Sequence, residues 1–299
     1  MAAVEAPGQS GPADRVAYRD ALLASTADRL GSVREARWIL EHMEAEGAEP
    51  GSAVERTEQL ESLVARRVAG EPLQYVLGRW SFRALELTVD PRVLIPRPET
   101  EQVVEVALAE LSRADAGSPV AVDLGTGSGA IALALATEGG RRFPRLEVWA
   151  TDASADALAV AAQNLARLDS DDSSRVQLAE GGWFGALPDA VKGRVDLIVA
   201  NPPYVSEAEY ADLDPGVRDW EPREALVAPT GAGGVGGMAD IETIVAGAPR
   251  WLRPGGALVV EIAPGQAYAS IDAARRAGFR QVTTERDLAG RVRMLVARR

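Results

Sequence analysis

The chain has 299 residues, 46% of them hydrophobic, and its 32 basic and 44 acidic side chains leave a formal net charge of −12. Cysteine is absent and histidine occurs once, at His42, which excludes disulfides, thiolate nucleophiles and metal sites built from several cysteines or histidines. The acidic excess, with a sequence pI near 4.8, argues against a protein that coats DNA or RNA.

The N-terminal third of the chain predicts a small helical domain. Residues 1–14 are small and polar and contain Pro and Gly, which predicts a disordered tail without a secretory signal. Residues 16–30, 33–45 and 53–68 repeat apolar side chains at helical spacing, so residues 15–78 are predicted to form a helical domain. No window reaches the ~18 apolar residues of a membrane span. These features predict a cytoplasmic protein that does not engage a membrane.

The pattern changes after residue 78. Residues 82–89 alternate apolar and polar side chains, Asp90-Pro91 predicts a turn, and residues 92–95 are apolar. This pattern is typical of a hairpin, so residues 79–98 are predicted to form a β-hairpin linker.

Helical and strand patterns then alternate through residues 99–299. Strands are predicted at residues 119–124, 146–150, 176–179, 195–200, 257–262, 280–285 and 292–297, and helices at residues 101–111, 130–136, 155–165, 241–252 and 267–277. Repeated strand–helix units predict an α/β fold with a mostly parallel sheet covered by helices on both faces. The last two strands, joined by a short turn, predict a closing antiparallel hairpin.

A glycine-rich turn follows the first of these strands. Residues 120–124 are apolar apart from one acid, and they run into Gly125, Thr126, Gly127, Ser128 and Gly129 before a helix begins. Glycines at this spacing allow tight turning and close approach of the backbone to a ligand. The spacing is not that of a dinucleotide-binding fingerprint, so a plain strand–turn–helix remains open at this point.

The next strand ends in Asp152. A carboxylate at the carboxyl end of the second strand is placed to accept hydrogen bonds from ribose hydroxyls, although Asp152 alone is also compatible with a helix N-cap. The glycine turn and Asp152 together resemble the nucleoside-binding half of a class I S-adenosylmethionine-dependent methyltransferase. That Rossmann-like fold places its ligand at the carboxyl ends of the strands.

A second motif, Asn201-Pro202-Pro203-Tyr204, follows the strand at residues 195–200. The Asn201 side-chain oxygen and the Pro202 carbonyl offer two acceptors for the N–H groups of a planar nitrogen, which aligns its lone pair and stabilises the charge that develops on it. Proline has no N–H to compete, and the Tyr204 ring can stack on a flat group. This motif occurs in methyltransferases of DNA adenine, of rRNA guanine and of protein glutamine, so it indicates the nucleophile and leaves the substrate open.

Further stretches narrow the choice of family. They are Pro-Leu-Gln-Tyr-Val-Leu-Gly at residues 72–78, Val-Leu-Ile-Pro-Arg-Pro-Glu-Thr-Glu at residues 93–101, Val-Arg-Asp-Trp-Glu-Pro-Arg-Glu-Ala-Leu at residues 217–226, and the set Glu261, Gly265 and Gln266. With residues 201–204, they closely resemble the HemK/PrmC family of N5-glutamine methyltransferases, which act on the Gly-Gly-Gln loop of peptide chain release factors. The resemblance covers residues 15–299.

The resemblance implies a helical substrate-recognition domain, a hairpin linker and a class I methyltransferase domain. It implies that S-adenosylmethionine binds to Asp152, Trp183, Asn201 and the glycine turn (Gly125, Thr126, Gly127, Ser128 and Gly129). Asn201, Pro202, Pro203 and Tyr204 would grip the substrate glutamine, with Asn201, Pro202 and Tyr204 as the catalytic set. No metal is expected. The partner would be a release factor, with no direct contact to nucleic acid, and the enzyme would act as a monomer.

Several alternatives remain at this stage. Family members often carry an acid just before Trp183, where this chain has Gly182, with Glu180 two residues earlier. Trp183 alone is also compatible with ordinary core packing, and Arg97 with Glu99 is compatible with a structural ion pair. Residues 231–237 are glycine-rich, which is compatible with a mobile lid. The competing functions are a glutamine methyltransferase of a ribosomal protein, a DNA adenine-N6 methyltransferase and a non-catalytic adapter.

Overall fold

The computed structural model describes residues 12–46, 53–114 and 117–299. The chain divides into two compact units, Met1–Gly78 and Arg79–Arg299. Most of the predicted tail, residues 1–11, lies outside the described residues, and the first helix begins at Pro12. Throughout the described ranges, none of the helices combines the length and the apolar character that a bilayer-crossing segment needs.

The first unit consists of four helices in the part of the chain described. They are α1 (Pro12–Leu30), α2 (Val33–Glu46), α3 (Ala53–Val68) and α4 (Leu73–Leu77). Apolar side chains at helical spacing meet in one core made of Ile39, Leu40, Leu60, Leu63, Val64, Leu73 and Val76. The Arg66 guanidinium ties α3 to α4, because it pairs with the buried Glu71 and also donates to the Tyr75 carbonyl oxygen at 2.9 Å.

The second unit opens with an antiparallel hairpin of β1 (Arg79–Phe82) and β2 (Leu85–Thr88). The prediction of its turn at Asp90-Pro91 was wrong, because the chain reverses at Arg83, whose φ of 52° lies in the left-handed region. Contacts distant in sequence hold this conformation: the Arg83 N–H donates to Glu101 Oε1 at 3.0 Å, and its guanidinium pairs with Glu138. Asp90 forms a local turn of its own by accepting the Arg92 N–H at 3.0 Å.

The main sheet has seven strands in the order β5-β4-β3-β6-β7-β9-β8. The strands are β3 (Val120–Leu124), β4 (Glu147–Asp152), β5 (Val176–Glu180), β6 (Val195–Ala200), β7 (Leu252–Glu261), β8 (Gln281–Arg286) and β9 (Val292–Arg298). All pairs from β5 through β7 are parallel, whereas β9 pairs antiparallel with both β7 and β8. The predicted mostly parallel sheet with a closing antiparallel hairpin is confirmed.

Helices cover both faces of this sheet, and two hydrophobic clusters, one that contains Val199 and one that contains Ile198, fill the space beneath them. The helices are α5 (Pro98–Arg113), α6 (Ala130–Ala134), α7 (Gly140–Arg142), α8 (Ala155–Leu165), α9 (Ser170–Ser173), α10 (Glu207–Tyr210), α11 (Pro215–Arg218), α12 (Ala239–Trp251) and α13 (Ala267–Arg276). A π-helical turn at Leu135–Gly139 joins α6 to α7, so this helical segment extends beyond its predicted end at residue 136.

The order of the strands decides where a ligand site can form. The chain starts the sheet at β3, proceeds outward through β4 and β5, and then returns to the other side of β3 with β6. A crevice opens outside the carboxyl ends of the strands at such a reversal. Every residue of β3 and β6 is buried, as expected for central strands covered on both faces.

Candidate active site

The glycine turn lies at this crevice and is held by backbone contacts to β4. Gly125, Gly127 and Gly129 have φ values of 74°, 55° and 86°, which other residues rarely adopt. The N–H groups of Gly125 and Thr126 donate to the Thr151 carbonyl oxygen at 2.8 and 2.9 Å. A Cβ added to Gly127 would meet no atom within 4 Å, so the backbone of the turn is open on that side.

Asp152 closes one side of the turn with its carboxylate. Its Oδ2 accepts the Gly127 N–H and its Oδ1 accepts the Ser154 N–H, both at 2.9 Å. Helix α8 is instead capped by Ser154, whose hydroxyl accepts the Ala157 N–H at 3.1 Å, so the alternative of Asp152 as the N-cap was wrong. The carboxylate therefore supports the turn while lining a cavity beside it.

The buried amide of Asn164 supports the turn from behind. Its Oδ1 accepts the Thr88 N–H at 2.6 Å, and its Nδ2 donates to the carbonyl oxygens of Thr88 and Ser128 at 3.0 and 2.9 Å. One side chain on α8 thus bonds both the hairpin strand β2 and the glycine turn.

Asp123 supports the glycine turn from beneath without lining the cavity, and the sequence reasoning did not name it. It is fully buried in β3, where its Oδ2 accepts the Thr126 hydroxyl at 2.7 Å and the Ala132 N–H at 3.1 Å. Burial raises the pKa of this carboxyl to about 7, against these hydrogen bonds. The sequence signal for it is a single acid within an otherwise apolar strand.

The raised pKa of Asp123 predicts a stability that depends on pH. An Asp in the unfolded chain has a pKa of ~3.9, so between about pH 4 and pH 7 the folded protein retains a proton that the unfolded chain releases. The free energy of unfolding therefore falls as pH rises through this window, by on the order of 3 kcal/mol from this group. Urea unfolding at several pH values should show a shallower decline for Asp123→Asn, and parallel profiles for the two proteins would refute the assignment.

Asn201 follows β6 at the same edge of the sheet. Its Nδ2 lies 3.4 Å from Thr100 Oγ1, and the Thr100 hydroxyl donates to Glu261 Oε2 at 2.8 Å. The Tyr204 hydroxyl lies 3.4 Å from the other oxygen, Glu261 Oε1. Four side chains from the start of α5, the end of β6 and the end of β7 thus form one hydrogen-bonded chain.

Burial is the main influence on the pKa values of Glu261 and Tyr204 in this hydrogen-bonded set. Glu261 is 1% exposed, and burial raises its pKa to about 6, against hydrogen bonds from Thr100 and Tyr204 and the positive charge of Arg293. Burial, followed by the negative charge of Glu261, raises the pKa of Tyr204 above its ordinary value. Tyr204 therefore keeps its proton at neutral pH and remains a hydrogen-bond donor.

Trp183 packs its ring beside the glycine turn. A Cβ on Gly125 would lie 3.3 Å from Trp183 Cζ3, which shows how closely the two approach. A side-chain hydrogen bond joins Trp183 to Asp240, whose pKa is raised by burial in spite of that bond. Glu180, in contrast, is exposed and does not line the cavity, so Asp240 on α12 is the acid that lies beside Trp183.

A cavity of about 320 Å³ joins these features. Of the predicted residues, Gly125, Thr126, Gly127, Ser128, Asp152, Trp183, Asn201 and Pro203 line it, whereas Gly129, Pro202 and Tyr204 do not. The lining includes three acids, Asp152, Glu224 and Asp240, and one basic residue, Arg92, among the residues described. A cavity with this charge favours a ligand that carries positive charge.

Two segments that contribute Pro96 and Pro222 to the cavity lining are joined to each other. Glu221 accepts the Ile95 N–H at 3.0 Å and pairs with the Arg97 guanidinium. Glu99 pairs with Arg291 at 2.9 Å, so the suggested Arg97–Glu99 ion pair was wrong. The stretch at residues 93–97 is therefore anchored to the stretch that follows α11.

The glycine-rich stretch at residues 231–237 packs against the Asn201 motif. The Gly231 N–H donates to the Val235 carbonyl oxygen at 2.9 Å, and Gln266 Nε2 donates to the carbonyl oxygens of Tyr204 and Gly236 at 2.9 and 3.1 Å. Gln266 thereby joins the end of the motif to this stretch. Motion of the stretch as a lid stays a prediction.

Comparison with known proteins identifies the family. A model described as the methyltransferase small domain matches residues 104–213, and one described as the PrmC N-terminal domain matches residues 51–78. A protein of Gloeobacter violaceus named release factor glutamine methyltransferase is 44% identical over 80% of this chain and 79% of its own length. A protein of the same name from Bordetella pertussis is 43% identical over 86% of this chain and 87% of its own length. The chain belongs to the release factor glutamine methyltransferase family.

Solved structures agree on the fold of this family member. The catalytic domain of hMettl16, in complex with the MAT2A 3′UTR hairpin 1, aligns with a TM-score of 0.56 and 19% identity over 79% of this chain and 80% of that one. A methyltransferase from Pyrococcus furiosus aligns with a TM-score of 0.50 and 19% identity over 82% and 98%. The protein is a methyltransferase, and the glycine turn, Asp152 and residues 201–204 lie within its matched small domain.

Proposed function

We propose that this enzyme transfers a methyl group from S-adenosylmethionine to the side-chain amide nitrogen (N5) of the glutamine in the Gly-Gly-Gln loop of peptide chain release factors. The observation that carries the proposal is the presence of Asn201 in the wall of the same cavity as the glycine turn and Asp152. An acceptor for amide hydrogens thus lies beside a nucleoside-type site. The names of the relatives support a release factor as the substrate.

The residues of the cavity fit S-adenosylmethionine. The open backbone at Gly127 leaves room for close approach, the Asp152 carboxylate offers acceptors for ribose hydroxyls, and the ring of Trp183 offers an apolar surface for the base. The acidic lining suits a cation. The chemistry that the cofactor supplies when bound is an electrophilic methyl group on a positively charged sulfur.

Replacement of Asp152 by alanine is expected to weaken cofactor binding by a factor of about 10–100, because hydrogen bonds to a charged group contribute ~1.5–3 kcal/mol each. Part of the loss would arise from the Gly127 N–H that Asp152 holds. Calorimetric titration with S-adenosylmethionine measures the dissociation constant. Asp156→Ala, at an exposed acid in the first turn of α8, is the matched control. Equal dissociation constants for Asp152→Ala and the wild type would show that Asp152 does not bind S-adenosylmethionine.

The Asn201 motif provides for the acceptor amide. An amide nitrogen is a poor nucleophile because its lone pair is delocalised, so the enzyme must orient it and stabilise the positive charge that it gains. Asn201 Oδ1 and the Pro202 carbonyl oxygen would accept its two N–H groups, and the Pro203 ring lines the cavity beside them. The Tyr204 hydroxyl donates to Glu261, so Tyr204 would fix the end of the motif.

The decisive experiment offers labelled S-adenosylmethionine and three acceptors: a release factor, a ribosomal protein and DNA. Label is expected on the release factor and not on the same protein with its loop glutamine changed to alanine. Label on the ribosomal protein alone would favour the alternative function, a glutamine methyltransferase of a ribosomal protein. Label on DNA, or label that persists after the glutamine change, would overturn the proposal.

We also propose that residues 15–78 form the substrate-recognition domain, residues 79–98 the hairpin linker and residues 99–299 the methyltransferase domain. The net charge of −12 favours attraction of a basic partner surface, and salt screens such attraction. Between about 50 and 300 mM salt, kcat/KM for the release factor is therefore expected to fall about 10-fold, with little change in the dissociation constant of S-adenosylmethionine. A salt-independent kcat/KM would exclude this steering.

A further inference from the structure

Glu261 occupies an unusual place for an acid. It is 1% exposed at the carboxyl end of β7, close to the candidate site, yet it does not line the cavity. Both of its oxygens face hydroxyl groups, those of Thr100 at 2.8 Å and Tyr204 at 3.4 Å. An ionised carboxylate only accepts hydrogen bonds, so both hydroxyl hydrogens must point toward Glu261.

This arrangement determines what Thr100 presents to Asn201. A threonine hydroxyl has one hydrogen, and here it is directed at Glu261. Toward Asn201 it therefore offers only lone pairs, which suit the Nδ2 donor found 3.4 Å away. The flipped amide would instead place Oδ1 against the lone pairs of Thr100 and is disfavoured.

We propose, building on the function proposed above, that Glu261 is a positioning residue that fixes the amide orientation of Asn201 through the Thr100 hydroxyl. With Nδ2 held by Thr100, Oδ1 is left as the acceptor for the N–H of the substrate amide. Glu261 acts through Thr100 and touches neither substrate nor cofactor. The same carboxylate orients the Tyr204 hydroxyl, so both ends of the motif depend on one buried acceptor.

Loss of Glu261 as an acceptor frees the Thr100 hydroxyl, and with it the Asn201 amide, to take other orientations. Glu261→Gln keeps the shape but turns one oxygen into a donor, so one of the two hydroxyls can no longer donate to residue 261. Protonation of Glu261 has a similar effect, and the charged and titratable groups that act on it are Arg293, Tyr204 and Glu99. Since burial raises the pKa of Glu261 to about 6, acidification through that value should disorder the amide.

The test compares Thr100→Val, Glu261→Gln and the conservative Thr100→Ser with the wild-type enzyme, with release factor as acceptor. Thr100→Val and Glu261→Gln are expected to lower kcat about 10–30-fold, with the dissociation constant of S-adenosylmethionine within about twofold. Thr100→Ser should recover kcat to within about threefold of the wild type. The kcat of the double variant Thr100→Val/Glu261→Gln should be no lower than that of either single variant, because Glu261 acts through Thr100.

Thr137→Val is the matched control, since within the described ranges that hydroxyl bonds to the carbonyl oxygens of Leu133 and Ala134, one turn earlier in the same helical segment. In the wild type, kcat should rise as pH increases, with an apparent pKa of about 6, and Glu261→Gln should lack this rise. The proposal is overturned if Thr100→Val and Glu261→Gln both keep wild-type kcat, if the rise persists in Glu261→Gln, or if cofactor affinity falls in proportion to kcat. A wild-type enzyme that binds S-adenosylmethionine but leaves release factor unlabelled refutes the proposed function instead. The variants are then compared on the acceptor that it does methylate.

Discussion

Replacement of Asn201 by alanine is expected to lower the rate of methyl transfer by a factor of about 10²–10³, the loss typical when one group that stabilises developing charge is removed. The side chain is half-buried, and among the described residues its hydrogen bond is to Thr100, at 3.4 Å. Few native contacts depend on it, so the free energy of unfolding should change by only about 1 kcal/mol. The effect on activity should therefore far exceed the effect on stability.

Single-turnover transfer of labelled methyl groups measures the rate, and urea unfolding measures stability. Gln177→Ala is the matched control, since it removes a side-chain amide from an exposed position on β5. A variant at Asn201 that keeps more than about a third of the wild-type rate would show that the Asn201 amide does not align the acceptor. A large loss of stability in Asn201→Ala would mean that the Asn201 side chain stabilises the folded structure instead.

Replacement of Gly237 by alanine is expected to damage stability and activity together. Gly237 has a φ of 69°, and an added Cβ would overlap the carbonyl oxygen of Tyr204. Left-handed backbone and the overlap should together lower the free energy of unfolding by about 2–3 kcal/mol. Relief of the overlap must shift Gly237 or Tyr204 and so disturb the hydrogen bond that Gln266 donates to the Tyr204 carbonyl oxygen at 2.9 Å. The rate of transfer should therefore fall as well.

Gly234→Ala separates these two causes. Gly234 has a similar φ of 79°, but a Cβ there would meet no atom within 4 Å. Gly234→Ala should lower the free energy of unfolding by only about 1 kcal/mol, the cost of the left-handed backbone, and should leave the transfer rate near that of the wild type. Thermal unfolding and single-turnover kinetics of both variants provide the comparison. Equal losses at the two positions would mean that the close approach to Tyr204 is unimportant.

The periodicity of the sequence was sufficient to predict the sheet and its edge. The central strands β3 and β6 are buried along their whole length, so their apolar runs stand out, and the glycine turn and Asn201 follow them directly. The shared carboxyl edge then brings the two motifs together without further information.

Features that depend on contacts distant in sequence were not predictable in the same way. The hairpin turn at Arg83 contains no glycine or asparagine, and it is held by Glu101 and Glu138, whose pairing only the fold reveals. The Thr100–Glu261 hydrogen bond joins residues 161 positions apart, and Asp240 reaches Trp183 from another helix. The sequence indicates each of these residues as polar, but it does not indicate which partner each one meets.

The amide of Asn164 has a thermodynamic consequence for the hairpin. Because one side chain bonds Thr88 on β2 and the Ser128 carbonyl oxygen in the glycine turn, local opening of either partner weakens the other. Linkage is reciprocal, so any ligand that tightens the turn must also slow hydrogen exchange at the Thr88 amide. The exchange rate of one backbone proton outside the cavity lining thereby reports on occupancy of the cavity.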